Sequence, residues 1–77
     1  MTRTELEKIA KDYIKEQSLR TGERIVDVNA DNEIIFHEKL VFVLVVTKFH
    51  TVLKYTLWID NETGEVDESA VDVKVLD

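Results

Sequence analysis

The chain contains no cysteine in its 77 residues, and only two glycines and two histidines. Without thiols it can have no disulfide, no thiolate zinc site and no cysteine nucleophile. Two glycines are too few for a phosphate-cradling loop. Basic charge is also scarce: 10 Lys and Arg stand against 16 Asp and Glu, a net charge of −6. Nucleic acids and anionic membranes recruit clustered Lys and Arg, so neither is expected as a partner. Long hydrophobic runs are missing too. The longest, LVFVLVV at 40–46, is far short of the ~20 residues that span a bilayer. The opening MTRTELEKIAKDYIKEQ has no apolar core of the signal-peptide kind. Absent thiols fit a reducing compartment. The expectation is therefore a soluble, cytoplasmic protein, extracytoplasmic only if a leader precedes the chain.

What is present suits a folded domain. Hydrophobic residues make up 44% and charged residues 34%, and residues 1–77 read as one domain. A chain this short buries only about 60–65% of its unfolded surface, so its margin of stability is thin. The charge is uneven. Acids and bases cancel over residues 1–59, whereas residues 60–77 carry Asp60, Glu62, Glu65, Asp67, Glu68, Asp72 and Asp77 against Lys74 alone. Such a segment can keep a sheet edge soluble or dock a basic partner.

Leu6, Ile9, Ala10, Tyr13 and Ile14 recur at helical spacing and predict one buried stripe. Thr4 and Glu7 read as a capping box, Glu7 and Lys11 as an i,i+4 ion pair, and Gly22 as the break after the helix. Beyond Gly22 the period changes from 3.6 to 2. ERIVDVN (23–29) predicts a strand, ADNE (30–33) a turn, and KLVFVLVVTK (39–48) and TVLKYTLWID (51–60) a central pair. IIFHE (34–38) either pairs back on 23–29 or begins the next strand. AVDVKVL (70–76) predicts a final strand. The fold class is α+β: one N-terminal helix packed across a four- to five-stranded antiparallel meander sheet.

Leu53, Tyr55, Leu57 and Ile59 share one face of the 51–60 strand and are assigned to the core. If Leu40, Phe42, Leu44 and Val46 join them, the hairpin loop near Phe49-His50 must hold two or four residues. Val41, Val43, Val45, Val52 and Trp58 then lie on the uncovered face. These five form the candidate interaction face, for a protein partner or a homodimer.

Candidate chemistry is sparse. DVNADNEIIFHE (27–38) places Asp27, Asn29, Asp31 and Glu38 at calcium-loop spacing. Against that reading, Asn32 stands where the loop wants glycine, and both flanks are β-rich rather than helical. The competing reading is a polar turn. His37 and His50 lack the close pairing of a metal motif, and Ser18 and Ser69 lie in no nucleophile motif. Acid pairs from the C-terminus would need burial to separate their pKa values, and these look solvated. No enzyme activity, no cofactor and no metal is expected. The leading function is a non-enzymatic interaction module. The alternative is a small-ligand or calcium-binding protein using 27–38 or the helix–sheet seam.

DNETG (60–64) predicts a hairpin with glycine at positive φ. A four-residue loop at 61–64 sets Ile59 opposite Val66. Burying Val71, Val73 and Val75 against the helix then requires a bulge or break at 67–69.

Ile9-Ala10, Ile25-Val26-Asp27-Val28, Leu40-Val41-Phe42-Val43 and Leu57-Trp58-Ile59-Asp60 leading into Thr63-Gly64-Glu65-Val66 resemble the PepSY domain. The likeness spans residues 4–68, within a cystatin-like helix-on-sheet arrangement. It implies a small non-catalytic module linked with regulating or inhibiting proteases, often outside the cytoplasm. The chain departs from that pattern in showing no leader-like stretch at residues 1–17, in a longer first-strand region, and in an expected further strand after Ala70.

Overall fold

The computed structural model describes residues 1–76. Helix α1 (Arg3–Gln17) presents Leu6, Ala10 and Ile14, all fully buried, with Ile9 and Tyr13 half-buried beside them. This is the predicted stripe. Its cap differs from the expectation. Thr2, not Thr4, is the N-cap: its hydroxyl accepts from the Glu5 amide at 3.1 Å, and the Glu5 carboxylate accepts from the Thr2 amide at 2.9 Å. The earlier start frees Glu7 to accept from the Ala30 amide at 2.9 Å, which ties the helix to the sheet. Glu7 also pairs with Arg3 at 3.2 Å, and Lys8 pairs with Asp12 at 2.8 Å, in place of the expected Glu7–Lys11 pair. Gly22 follows the helix at φ +84°, where its missing side chain makes room for Lys48.

Four strands follow in meander order β1-β2-β3-β4, all antiparallel. They are β1 (Arg24–Ile35), β2 (Glu38–Val46), β3 (Val52–Asp60) and β4 (Asp72–Leu76). The turn expected at 30–33 does not form. β1 runs through it with a register shift between Ala30 and Ile34, so polar Asp31, Asn32 and Glu33 bulge where a turn was predicted. Ile34 and Ile35 extend β1 and pair with Lys39 and Glu38. This settles the 34–38 segment as strand end, turn and strand start. Phe36 and His37 close the hairpin at φ +50° and +69°, the left-handed pair of a two-residue primed turn.

The central hairpin also departs from expectation. Val46 pairs with Val52 across a five-residue loop, Leu44 faces Lys54, and Phe42 faces Thr56. The even loop is ruled out. Thr47 organises the odd one: its hydroxyl accepts from the Phe49 and Thr51 amides, its amide bonds the Thr51 carbonyl at 2.9 Å, and His50 takes φ +64°. The odd loop reverses the two faces of β2. Val41, Val43 and Val45 turn inward and are fully buried with Ala30, Leu57 and Ile59 beneath the helix.

The 61–64 loop forms as predicted, with Ile59 bridged to Val66. Asp60 caps it by accepting from the Glu62 and Thr63 amides at 2.8 and 2.9 Å. The ladder then breaks into a 3-10 turn (Glu68–Ala70) before β4, and Val73 and Val75 share the face of Tyr55 and Leu53. Val71 lies just before β4, outside the ladder. The predicted break holds, and so does the facing of Val73 and Val75. Burial does not: α1 packs over β1, β2 and β3, and Val73 and Val75 remain 52% and 57% exposed.

Candidate functional site

One helix covers one face of a sheet, so the other face is open. Opposite residues in an antiparallel ladder share a face, and the registers arrange the open side in rows. Arg24, Val46, Val52 and Leu76 form the row nearest the five-residue loop, followed by Asp27, Leu44, Lys54 and Lys74. Asn29, Phe42, Thr56 and Asp72 come next, then Leu40 and Trp58. Ile35, Glu38 and Asp60 close the far end. Leu40, Phe42, Leu44, Val46, Val52 and Trp58 are all half-buried, and among the described residues no second layer covers them.

Val52 and Trp58 therefore lie on the open face, as predicted. Val41, Val43 and Val45 do not, because the odd loop rotates all of β2 to the opposite side. Their places are taken by Leu40, Phe42, Leu44 and Val46, which the sequence pattern assigns to the core. The missed signal lay in the loop: Thr47 and Thr51 bracket three residues, a spacing that favours an odd connection closed by side-chain bonds.

Electrostatics divides this face along the strands. Arg24, Lys54 and Lys74 lie toward the five-residue loop, and the Lys54 ammonium sits 4.4 Å from the centre of the Phe42 ring. At the opposite end Trp58 borders a recess of about 270 Å³ with Ile35, Phe36, Glu38, Asp67 and Ala70. Phe36, at the hairpin tip, is 91% exposed. Around the same edge a wider, open depression is lined by Glu38, Asp60, Glu65, Asp67 and Glu68 with Tyr13 and Val66. The Asp60 carboxyl is held below its ordinary range by the Thr63 and Glu62 amides, so it is committed to the loop as an anion.

The calcium-loop reading does not survive. Asp27, Asn29 and Asp31 are alternate residues of β1, strung out along the strand at about 6.6 Å per step, and do not form the closed loop that would converge them on one point. Glu38 starts β2 opposite Ile35. Asn29 instead accepts from the Arg3 guanidinium, and Asp31 from the Asn32 amide. Among the described residues no three His, Asp or Glu side chains are placed to hold a metal ion. His37 and His50 sit in separate turns at opposite ends of the sheet.

The helix–sheet seam is open beyond the end of α1. Leu19, Leu53, Tyr55, Val73 and Val75 line a groove rimmed by Glu16, Arg20 and Glu23. Burial there, reinforced by the nearby Glu23 charge, raises the Tyr55 pKa above its ordinary value. Among the described residues no helix is long and apolar enough to cross a membrane. Comparison with protein-family models, with curated proteins and with solved structures finds no match.

Proposed function

We propose that this chain is a small non-enzymatic interaction or regulatory module, PepSY-like in character, that binds a protein partner through its open sheet face. The observation that carries this reading is the uncovered apolar surface formed by Leu40, Phe42, Leu44, Val46, Val52 and Trp58. Contiguous apolar surface of this kind on a small domain marks a binding site, and a large aromatic beside a recess is the usual energetic centre of one. Glu38, Asp60 and Asp67 border the Trp58 end. The complementary partner is a protein presenting an apolar patch flanked by Lys or Arg. The absence of thiols fits action in the cytoplasm.

Site-specific photo-crosslinking in the native cell tests this. A photoreactive side chain at Leu40, on the open face, should yield adducts with another protein, whereas one at Lys8, on the exposed face of α1, should not. Equal labelling from both positions, or none from Leu40, would overturn the reading.

A further inference from the structure

β4 lies at the end of the sheet, paired with β3 on one side and, among the described residues, with nothing on the other. An open edge of this kind is a template for another strand unless something blunts it. Three features single out which strand fits.

The first is the sequence Val71-Asp72-Val73-Lys74-Val75, which is symmetric about Val73 in apolar pattern and antisymmetric in charge. Two copies running antiparallel about Val73 would set Asp72 opposite Lys74 of the second copy, and Lys74 opposite its Asp72. Val73 would meet Val73, and Val71 would meet Val75. All five residues can take part, because Val71 is already extended at φ −68° and ψ 125° and the rest belong to β4.

The second is an unresolved charge conflict within one copy. Lys74 stands directly opposite Lys54, and like charges at that position destabilise a ladder. Among the described residues neither Lys74 nor Asp72 makes an ion pair. Pairing about Val73 brings Asp72 of the second copy to the free side of Lys74, so each pair of lysines gains an acid in its own row.

The third is the exposure of Val73 and Val75 on the helix side, 52% and 57%. They lie in a groove that the last turn of α1 borders through Glu16 and Gln17 but does not cover. Edge pairing would set the valines of two copies side by side and join the two grooves across the new strand pair.

We propose that the occupant of the β4 edge is a second copy of this chain, paired antiparallel about Val73. The result is a continuous eight-stranded sheet with both helices on one side. The inference is independent of the open-face reading, because it uses the strand edge and leaves that face free. Five residues a side make a small interface, so self-association is weak and depends on concentration.

Sedimentation of the wild type from ~10 µM to ~1 mM should show a monomer–dimer equilibrium. Asp72→Lys and Lys74→Asp, both at exposed positions, should each weaken it by about tenfold or more, since each places two like-charged pairs across the dimer. An equimolar mixture of the two variants should recover association to within about threefold of wild type, as should the double variant in one chain. Circular dichroism of the double variant controls for folding. A wild type that stays monomeric throughout the range would overturn the proposal. So would a mixture that associates no better than its components. Association abolished by Leu44→Lys but untouched by either charge reversal would overturn it too, while leaving the open face as a binding surface.

Discussion

The two faces of this sheet differ in a way that composition does not reveal. The covered face is made of Val41, Val43, Val45, Leu57 and Ile59, fully buried against Leu6, Ala10 and Ile14. The open face carries Leu40, Phe42, Leu44 and Trp58, which are larger, yet have no layer above them among the described residues. Burial has gone to the flatter surface. A row of β-branched valines with little relief lets a helix with Ala10 at its centre settle close to the strands. Long side chains such as Leu44 and Phe42 would hold the helix away. Hydrophobicity decides that a residue wants to be covered. Shape, together with the turn that sets the register, decides which residues are.

The sharpest break of that comparison is a charge placed on the covered side. Val43→Lys puts an ammonium into the cluster that holds Leu6, Ala10 and Ile14, with no acid in the core, since no polar or charged residue is buried among the described residues. An unpaired buried charge costs several kcal/mol, which is most of the stability of a domain this size. The expected outcome is loss of the cooperative thermal transition in circular dichroism. A variant melting within a few degrees of wild type would show that the valine face is not the core.

A smaller break acts on the loop that holds α1 against the sheet. Gly64 has φ +77°, and a Cβ there would lie 2.6 Å from Met1 Cε and 2.8 Å from Ile9 Cδ1. Gly64→Ala therefore combines backbone strain with a clash at the start of the helix. We expect a loss of about 1–3 kcal/mol, read as a drop in the urea midpoint at unchanged slope. Asn61→Ala, at the other end of the same loop, keeps the backbone bond that its carbonyl accepts from the Met1 ammonium and should cost less.

Glu7 sharpens the comparison through pH. Its carboxyl is held below the ordinary range, first by the Ala30 amide and then by Arg3. Because the folded state favours the anion, its stabilising contribution is complete above the ordinary carboxylate pKa. It is lost as pH falls through the lowered folded value. Glu7→Ala leaves the Ala30 amide without that acceptor and should cost about 1–2 kcal/mol at neutral pH, a fall of roughly 5–12 °C in melting temperature. The gap between variant and wild type should narrow as pH drops below 4. A gap constant down to pH 2 would mean that Glu7 acts through packing rather than charge.

These outcomes bear on what the sequence could disclose. The helix stripe was legible because Leu6, Ile9, Ala10, Tyr13 and Ile14 leave no competing period. The DNETG loop was legible because Asp60 and Gly64 each have one conformational role there. The cap was not, because Thr2-x-x-Glu5 and Thr4-x-x-Glu7 are the same motif two residues apart. Only the tertiary bond from the Ala30 amide to Glu7 separates them. Asp31, Asn32 and Glu33 carry turn chemistry yet sit in a bulge, because Ile34 and Ile35 gain partners in Lys39 and Glu38. The open face was legible as a surface but not in its membership. β2 is apolar at every position from 40 to 46, so its two faces are distinguished only by whether the next loop is odd or even.

The least disruptive change is one residue away from the most disruptive. Leu44 follows Val43 and points to the other side of β2, half-buried on the open face between Asp27 of β1 and Lys54 of β3. Leu44→Lys sets a new ammonium opposite Lys54, a repulsion of about 0.2–1 kcal/mol, and beside Asp27, an attraction of similar size. The long side chain keeps its stem along the sheet and its charge in water. The lost leucine contact is partial, because no second layer completes it. The expected net change is therefore within about 1 kcal/mol, with the melting transition retained and binding to the open face abolished. If Leu44→Lys unfolded the domain as thoroughly as Val43→Lys, both faces would have to be covered in solution, and the open face would already be occupied.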